Sequence, residues 1–324
     1  MKTSLGKHHI ARYTVLGAII LLLSCKTENN QIRTSAEPVA YSLNGKPLFP
    51  PQESEASRHV KDSLLHIAEI NYKLDSNGLD NIIWYGRRLA YLSQYPKALA
   101  IYTRGLKRFP NSPELLRHRG HRNITVRKFN EAIEDLTKAA DFIRNRPVQV
   151  EPDGIPNRIN MPLSSLQFNI WYHLGLACYL KGEYKKAAVA YDSCMRYSTN
   201  PDLLCATTDW YYMTLMRAGK TKKASDLLEV ITPGLEVIEN DGYLQRLLMY
   251  KGLVSPDALI RFDQITEENE LTVVTQGYGV AFFLETQGDA EKADVIRDRI
   301  LNTSYWSAFG YIAAEADKYG KRRK

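Results

Sequence analysis

The 324 residues contain no apolar run long enough to cross a bilayer: the longest, residues 13–23, is eleven residues, where a membrane-spanning helix needs about 20. They also lack the arrangements that most catalysis requires. There is no HExxH, no GxxxxGK[ST], no GxSxG and no CxxC, so zinc peptidase, P-loop, serine-hydrolase and thiol-redox chemistry have no recognisable seat. His118 and His121 stand three apart and could share a helix face, but no third ligand accompanies them. Neither a metal nor any other cofactor is expected. Acid pairs such as Glu267-Glu268 sit in a polar turn, where solvation accounts for them. The chain reads as a non-enzyme.

Charge is scarce where a nucleic-acid reading would need it. The formal charge is +7, but Lys2, Lys7 and Arg12 at one end and Lys318, Lys321, Arg322, Arg323 and Lys324 at the other supply eight cations with no acid among them. Without those eight the body stands at −1. A phosphate-binding surface needs Lys and Arg clustered on the folded part, so no nucleic-acid partner is expected. Cysteine is sparse too. Past Cys25 there are Cys178, Cys194 and Cys205, an odd number, and all three fall in helical pattern, where a buried thiol acts as a small hydrophobe. Cys194 and Cys205 flank the turn near Thr199-Asn200-Pro201 and could face each other across it.

What is present begins with a basic start, the short apolar run and Leu22-Leu23-Ser24-Cys25. Length and flanks suit the core of a signal peptide. The motif resembles the lipobox of bacterial lipoproteins, which implies removal of residues 1–24, lipidation of Cys25 and a membrane anchor through that lipid. With Lys26 in place of an acid after the cysteine, the resemblance implies the outer membrane of a Gram-negative bacterium. Residues 25–57 are polar, with Pro38, Pro47, Pro50 and Pro51 and no apolar period, and read as a flexible tether. A helix follows, with Val60, Leu64, Ile67, Ala68 and Tyr72 as its inward face and Gly78 as its stop.

Residues 58–317 read as a helical array, and from about residue 80 the sequence repeats itself. Ala98, Ala132, Ala187, Ala224, Ala258 and Ala293 are separated by 34, 55, 37, 34 and 35 residues, the 55 being one period plus an insertion. Four residues after them stand Tyr102, Leu136, Tyr191, Leu228, Phe262 and Arg297. Gly86, Gly120 and Gly175 lie twelve residues before the first three alanines, and Gly182, Gly219 and Gly288 lie five before their own. With Trp171, Leu174, Gly175, Ala187 and Tyr191 in register, the pattern resembles the tetratricopeptide repeat. The resemblance implies an all-α helical-repeat solenoid of about six helix-turn-helix units. Trp306, Phe309, Gly310 and Ala313 then form a C-terminal capping helix, before a basic tail at 318–324. Small residues would let paired helices approach closely, and Gly182 would end a helix in the left-handed turn. Arg119 breaks the pattern before Gly120, and Tyr212, Arg246 and Ala281 replace the first-helix glycine in units four to six.

The insertion at 145–163 holds Pro147, Pro152, Pro156 and Pro162 and the Asp153-Gly154 turn signal. A loop of that length inside an array is uncommon and often functional. Ser164 with Gln167 fits a capping box opening the next helix. In the repeat family that the pattern resembles, first helices line a concave groove. Carrying the register across marks Arg87, Tyr91, Arg117, His121, Tyr172, Tyr179, Asp209 and Arg217 as partner-binding, with Met213 and Tyr278 beside them. Aromatics with arginines suit planar peptide groups and carboxylates. The expected function is therefore a membrane-tethered scaffold for a protein or peptide, an acidic one favoured. The alternative is a glycan-binding outer-membrane lipoprotein similar to the starch-binding ones; a cell-wall-associated enzyme is the weakest reading.

Overall fold

In the computed structural model, which describes residues 37–266 and 268–320, the repeats are built around one contact. A Cβ on Gly175 would lie 2.7 Å from the Tyr191 ring, one on Gly120 would lie 2.7 Å from Leu136, and Gly86 meets the Tyr102 ring in the same way. Each glycine on a first helix thus receives the large residue four positions after the alanine of the second. The second-helix alanines Ala98, Ala132, Ala187, Ala224 and Ala293 are fully buried.

The first helices of the units are α2 (Leu79–Tyr91), α4 (Pro113–Thr125), α6 (Leu166–Leu180), α8 (Pro201–Arg217), α10 (Asp241–Tyr250) and α12 (Glu270–Thr286). Their partners are α3 (Tyr95–Arg108), α5 (Phe129–Ile143), α7 (Tyr184–Met195), α9 (Thr221–Leu227), α11 (Pro256–Leu259) and α13 (Ala290–Leu301). Helix α1 (Glu55–Leu74) precedes them and α14 (Phe309–Tyr319) closes the array. Among the described residues no helix is long and apolar enough to cross a membrane. Caps set the starts: Ser112, Ser165 and Asn200 accept from the backbone of Leu115, Phe168 and Leu203, and Pro113 and Pro201 occupy a first-turn position where a missing N–H costs nothing. Gly182, Gly219 and Gly288 end their helices at φ of +76°, +71° and +90°.

Several expectations need correction. The fifth unit is degenerate: α11 is a single turn, Ala258 is exposed, and Leu259 turns inward in its place. Gly78 is the residue before α2 and does not end α1, and Val60 and Ile67 are exposed, because Ala68 and partly buried Leu65 and Tyr72 face the array. Ser165, one residue later than expected, caps α6, since Gln167 is spent elsewhere. The three internal cysteines are free and buried, Cys194 Sγ lying 3.3 Å from Thr207 Oγ1. Burial pushes each thiol up to about 12.

The tether is also shorter than expected. Residues 39–49 form a two-stranded antiparallel hairpin, β1 (Ala40–Tyr41) with β2 (Pro47–Leu48), and Ala40 and Leu48 are buried in the main core. Trp306 Nε1 donates to Phe49 O (2.6 Å), and the Leu43 N–H donates to Glu315 on α14. The same carboxylate takes Arg127 Nη2 at 2.6 Å, with both side chains almost fully buried. Helix α14 also touches α6, so the end of the array folds back on its middle. Cys25, the signal segment, the first part of the tether and residues 321–324 lie outside the described residues.

Candidate functional site

The face formed by α2 and α4 carries Arg87 and Arg117, and the chain's own insertion lies across them. Residues 144–165 join α5 to α6 as a strap. Its two ends pair, Glu151 N donating to Ser164 O (3.0 Å) and Leu166 N to Gln149 O (2.8 Å). Gln167 holds the near end, accepting from Gln149 N at 3.0 Å and donating to Pro147 O at 2.8 Å. From there residues 151–154 run over the first two units, and the chain bends at Gly154 and turns at Arg158-Ile159 on its way back.

Three contacts hold it to α2 and α4, while Asn200 Nδ2 donates to Leu163 O (2.9 Å) further along. Arg117 Nη2 meets Glu151 Oε1 at 2.9 Å, both side chains about nine-tenths buried. Arg87 Nη1 donates to Pro152 O (2.9 Å) and Arg88 Nη1 to Gly154 O (3.0 Å). A Cβ on Gly154 would lie 1.5 Å from the Tyr91 hydroxyl, so any larger residue has to push that side chain aside. Arg117 Nη1 also donates to His118 Nδ1 (3.0 Å), which leaves the ring proton on Nε2, towards Glu151 Oε1 at 3.9 Å. Burial, then the Arg117 charge, holds His118 well below the ordinary imidazole value, so it meets the carboxylate as a neutral ring.

The open part of the face is a cleft of about 480 Å³ further along the array. His121 lines it together with Tyr243, Tyr305, Phe309, Thr272 and Thr275, and Glu239 stands at its edge, held by Asn157 of the strap at 2.7 Å. Among the described residues no Lys or Arg lines this cleft. His121 packs on His173 (ring centroids 4.2 Å) and on Phe309 (5.4 Å), and burial, followed by the Arg122 charge, keeps it neutral. No three His, Cys, Asp or Glu among the described residues converge in a way that could hold a metal.

The remaining residues marked from the sequence are turned inward and are withdrawn as contact residues. The Tyr179 hydroxyl bonds that of Tyr278 (2.6 Å), and the Tyr172 hydroxyl lies 3.2 Å from that of Tyr243. Met213 is fully buried. Asp209 is fully buried against Arg246 Nη2 at 2.8 Å, and burial pushes it up to about 7 in spite of that partner. Arg217 is engaged by Glu285 (2.8 and 3.0 Å) and Asp317 (2.9 Å). The physical reason is that α12 and α14 pack over this stretch of the face, so the second half of the expected groove is core. Glu151, Gly154, Arg88 and the cleft residues Tyr243, Tyr305 and Phe309 were not marked in advance. The insertion's acids beside an arginine-rich first helix were the one available sign.

No family model matches the chain, and no curated protein matches it. Among solved structures it is similar to YrrB, a TPR protein with an unusual peptide-binding site, at 13% identity over 78% of this chain and 97% of that one, with a TM-score of 0.41. At that identity and score the likeness adds nothing to the helical-repeat packing already described.

Proposed function

We propose that the protein is a scaffold without catalysis, tethered to the outer membrane through lipid on Cys25, that binds an extended segment of a partner protein along α2 and α4 and into the adjoining cleft. One observation carries this reading: the face already grips a carboxylate-bearing segment of non-helical chain, the strap, through Arg87, Arg88 and Arg117. Bidentate-capable guanidinium groups beside neutral aromatics suit such a ligand. The test is a peptide array with paired acidic and neutral members, probed with the lipid-free soluble form. Preferential retention of the acidic members, reduced in Arg117→Gln, is the expected result; equal retention of both sets would overturn it. For the tether, Cys25→Ala should abolish incorporation of labelled fatty acid, and undiminished labelling would remove that part of the proposal.

A second reading has an observation of its own. Among the described residues the cleft has no Lys or Arg, and it is lined by two half-buried tyrosines, a phenylalanine and two threonines, a lining that suits the stacked face and hydroxyls of a neutral sugar. Calorimetry with soluble oligosaccharides on wild type and Tyr243→Ala separates this reading from the first: heat that vanishes in the variant favours glycan capture.

A further inference from the structure

We propose that the strap is a built-in occupant of a peptide-binding site on α2 and α4, and that a partner segment of the pattern Glu-x-x-Gly takes its place. This deepens the scaffold reading and rests on it. The pattern follows from what the site touches. It engages one side chain, the Glu151 carboxylate, and two main-chain carbonyls, those of Pro152 and Gly154. Any extended chain offers the carbonyls. The carboxylate has to be supplied, and three residues later a Cβ would have to displace the Tyr91 hydroxyl, which favours glycine there.

The strap is held in a way that permits exchange. Glu151 is its one buried side chain between residues 144 and 164, whereas Val148, Val150, Ile155 and Met161 are 61–70% exposed. Docking therefore leaves Val148, Val150, Ile155 and Met161 in water and rests largely on polar contacts, whose net worth is modest because water replaces them on release. The central ion pair is also unsaturated: Arg117 Nε and Glu151 Oε2 are buried with no hydrogen-bond partner among the described residues. A ligand with the same carboxylate loses nothing by comparison and can satisfy more. The paired strap ends at Gln149 and Leu166 keep the released segment nearby, so it competes at high effective concentration and lowers apparent partner affinity by the fraction of time it is docked.

The experiment uses a fluorescent synthetic peptide with the sequence of residues 147–156, titrated by anisotropy into the soluble full chain. Glu151→Gln should bind it about tenfold or more tightly than wild type, since the internal competitor is weakened. Adding Arg117→Gln to that variant, or replacing the peptide's glutamate by Gln or its glycine by Ala, should remove the gain. In wild type, saturating peptide should speed amide hydrogen exchange across residues 150–156, a readout that stands even if the variants fold poorly. Binding to Glu151→Gln no tighter than to wild type, or strap exchange unmoved by peptide, overturns the proposal. If the strap peptide binds as expected while every foreign Glu-x-x-Gly peptide fails, the exchange site stands and the partner reading falls.

Discussion

At the scale of single residues, the position five before the repeat alanine is instructive, because in every unit but the fifth it is left-handed whatever residue fills it. Gly182, Gly219 and Gly288 meet this without strain, but the same position in the first two units holds Ser93 at φ +57° and Arg127 at φ +65°. A side chain there costs about 1–2 kcal/mol. Ser93→Gly should therefore stabilise the protein by about 0.5–1 kcal/mol once the entropy of glycine is counted. Arg127→Gly relieves the same strain and should still destabilise, by about 3–5 kcal/mol, because it leaves Glu315 buried without its partner. Urea unfolding of the two variants checks both signs, and equal shifts would mean that the Arg127–Glu315 pair does not hold the array's end. Arg117 is read differently for the same reason. From sequence alone it is a groove residue whose loss spares stability; paired and buried with Glu151 it is expected to matter to both.

At the scale of elements, the helical repeat was legible because its contacts are local. Gly175 and Tyr191 are sixteen residues apart, and so are Gly86 with Tyr102 and Gly120 with Leu136; a periodic sequence displays such pairs directly. Register is also where the reading fails, since a period cannot say whether a helix completes itself. Ala258 keeps the spacing, yet Pro256 opens a helix that stops at Leu259, and the extended backbone of Ile260 follows. The two alanines then predict opposite outcomes. Ala187→Phe should cost about 1–3 kcal/mol by overpacking a closed crossing, whereas Ala258→Phe on an exposed turn should stay within about 0.5 kcal/mol. Thermal melts of the pair decide it, and a large loss at Ala258 would restore the fifth unit as a full repeat. The site was legible to a lesser degree. The face was found, but its occupant was not, because Arg87 and Pro152 meet across 65 residues and no period encodes that distance.

At the scale of the whole molecule, the closing of the array has a consequence for its behaviour in acid. Helix α14 brings Phe309 onto His121 and His173, 5.4 and 5.7 Å between ring centroids, while the strap covers His118. Burial, with Arg117 and Arg122 adding to it, holds all three imidazoles well below their ordinary value of 6.5. As pH falls through 6.5 the unfolded chain takes up three protons that the folded one refuses, so stability falls with pH, by about 1.4 kcal/mol per unit for each histidine. Above 6.5 these groups contribute no slope. Asp209 works in the opposite sense: raised from 3.8 to about 7 by burial, it binds a proton more readily when folded, and so adds stability as pH falls across that window. Three against one leaves a net loss of about 3 kcal/mol per pH unit below 6.5, while the folded imidazoles stay neutral. Carboxylates such as Glu285, held below its usual value by Arg217 and Arg297 in spite of its burial, add to the loss only at lower pH. Urea denaturation at pH 7.5, 6.5 and 5.5 should thus show little change over the first interval and a steep fall over the second. His121→Gln should lessen the fall by about one histidine's share, and Asp209→Asn should steepen it by a similar amount. A flat profile from pH 6.5 to 5.5 in wild type would mean that the three rings are wet enough to titrate in place, and that α14 and the strap do not close over them.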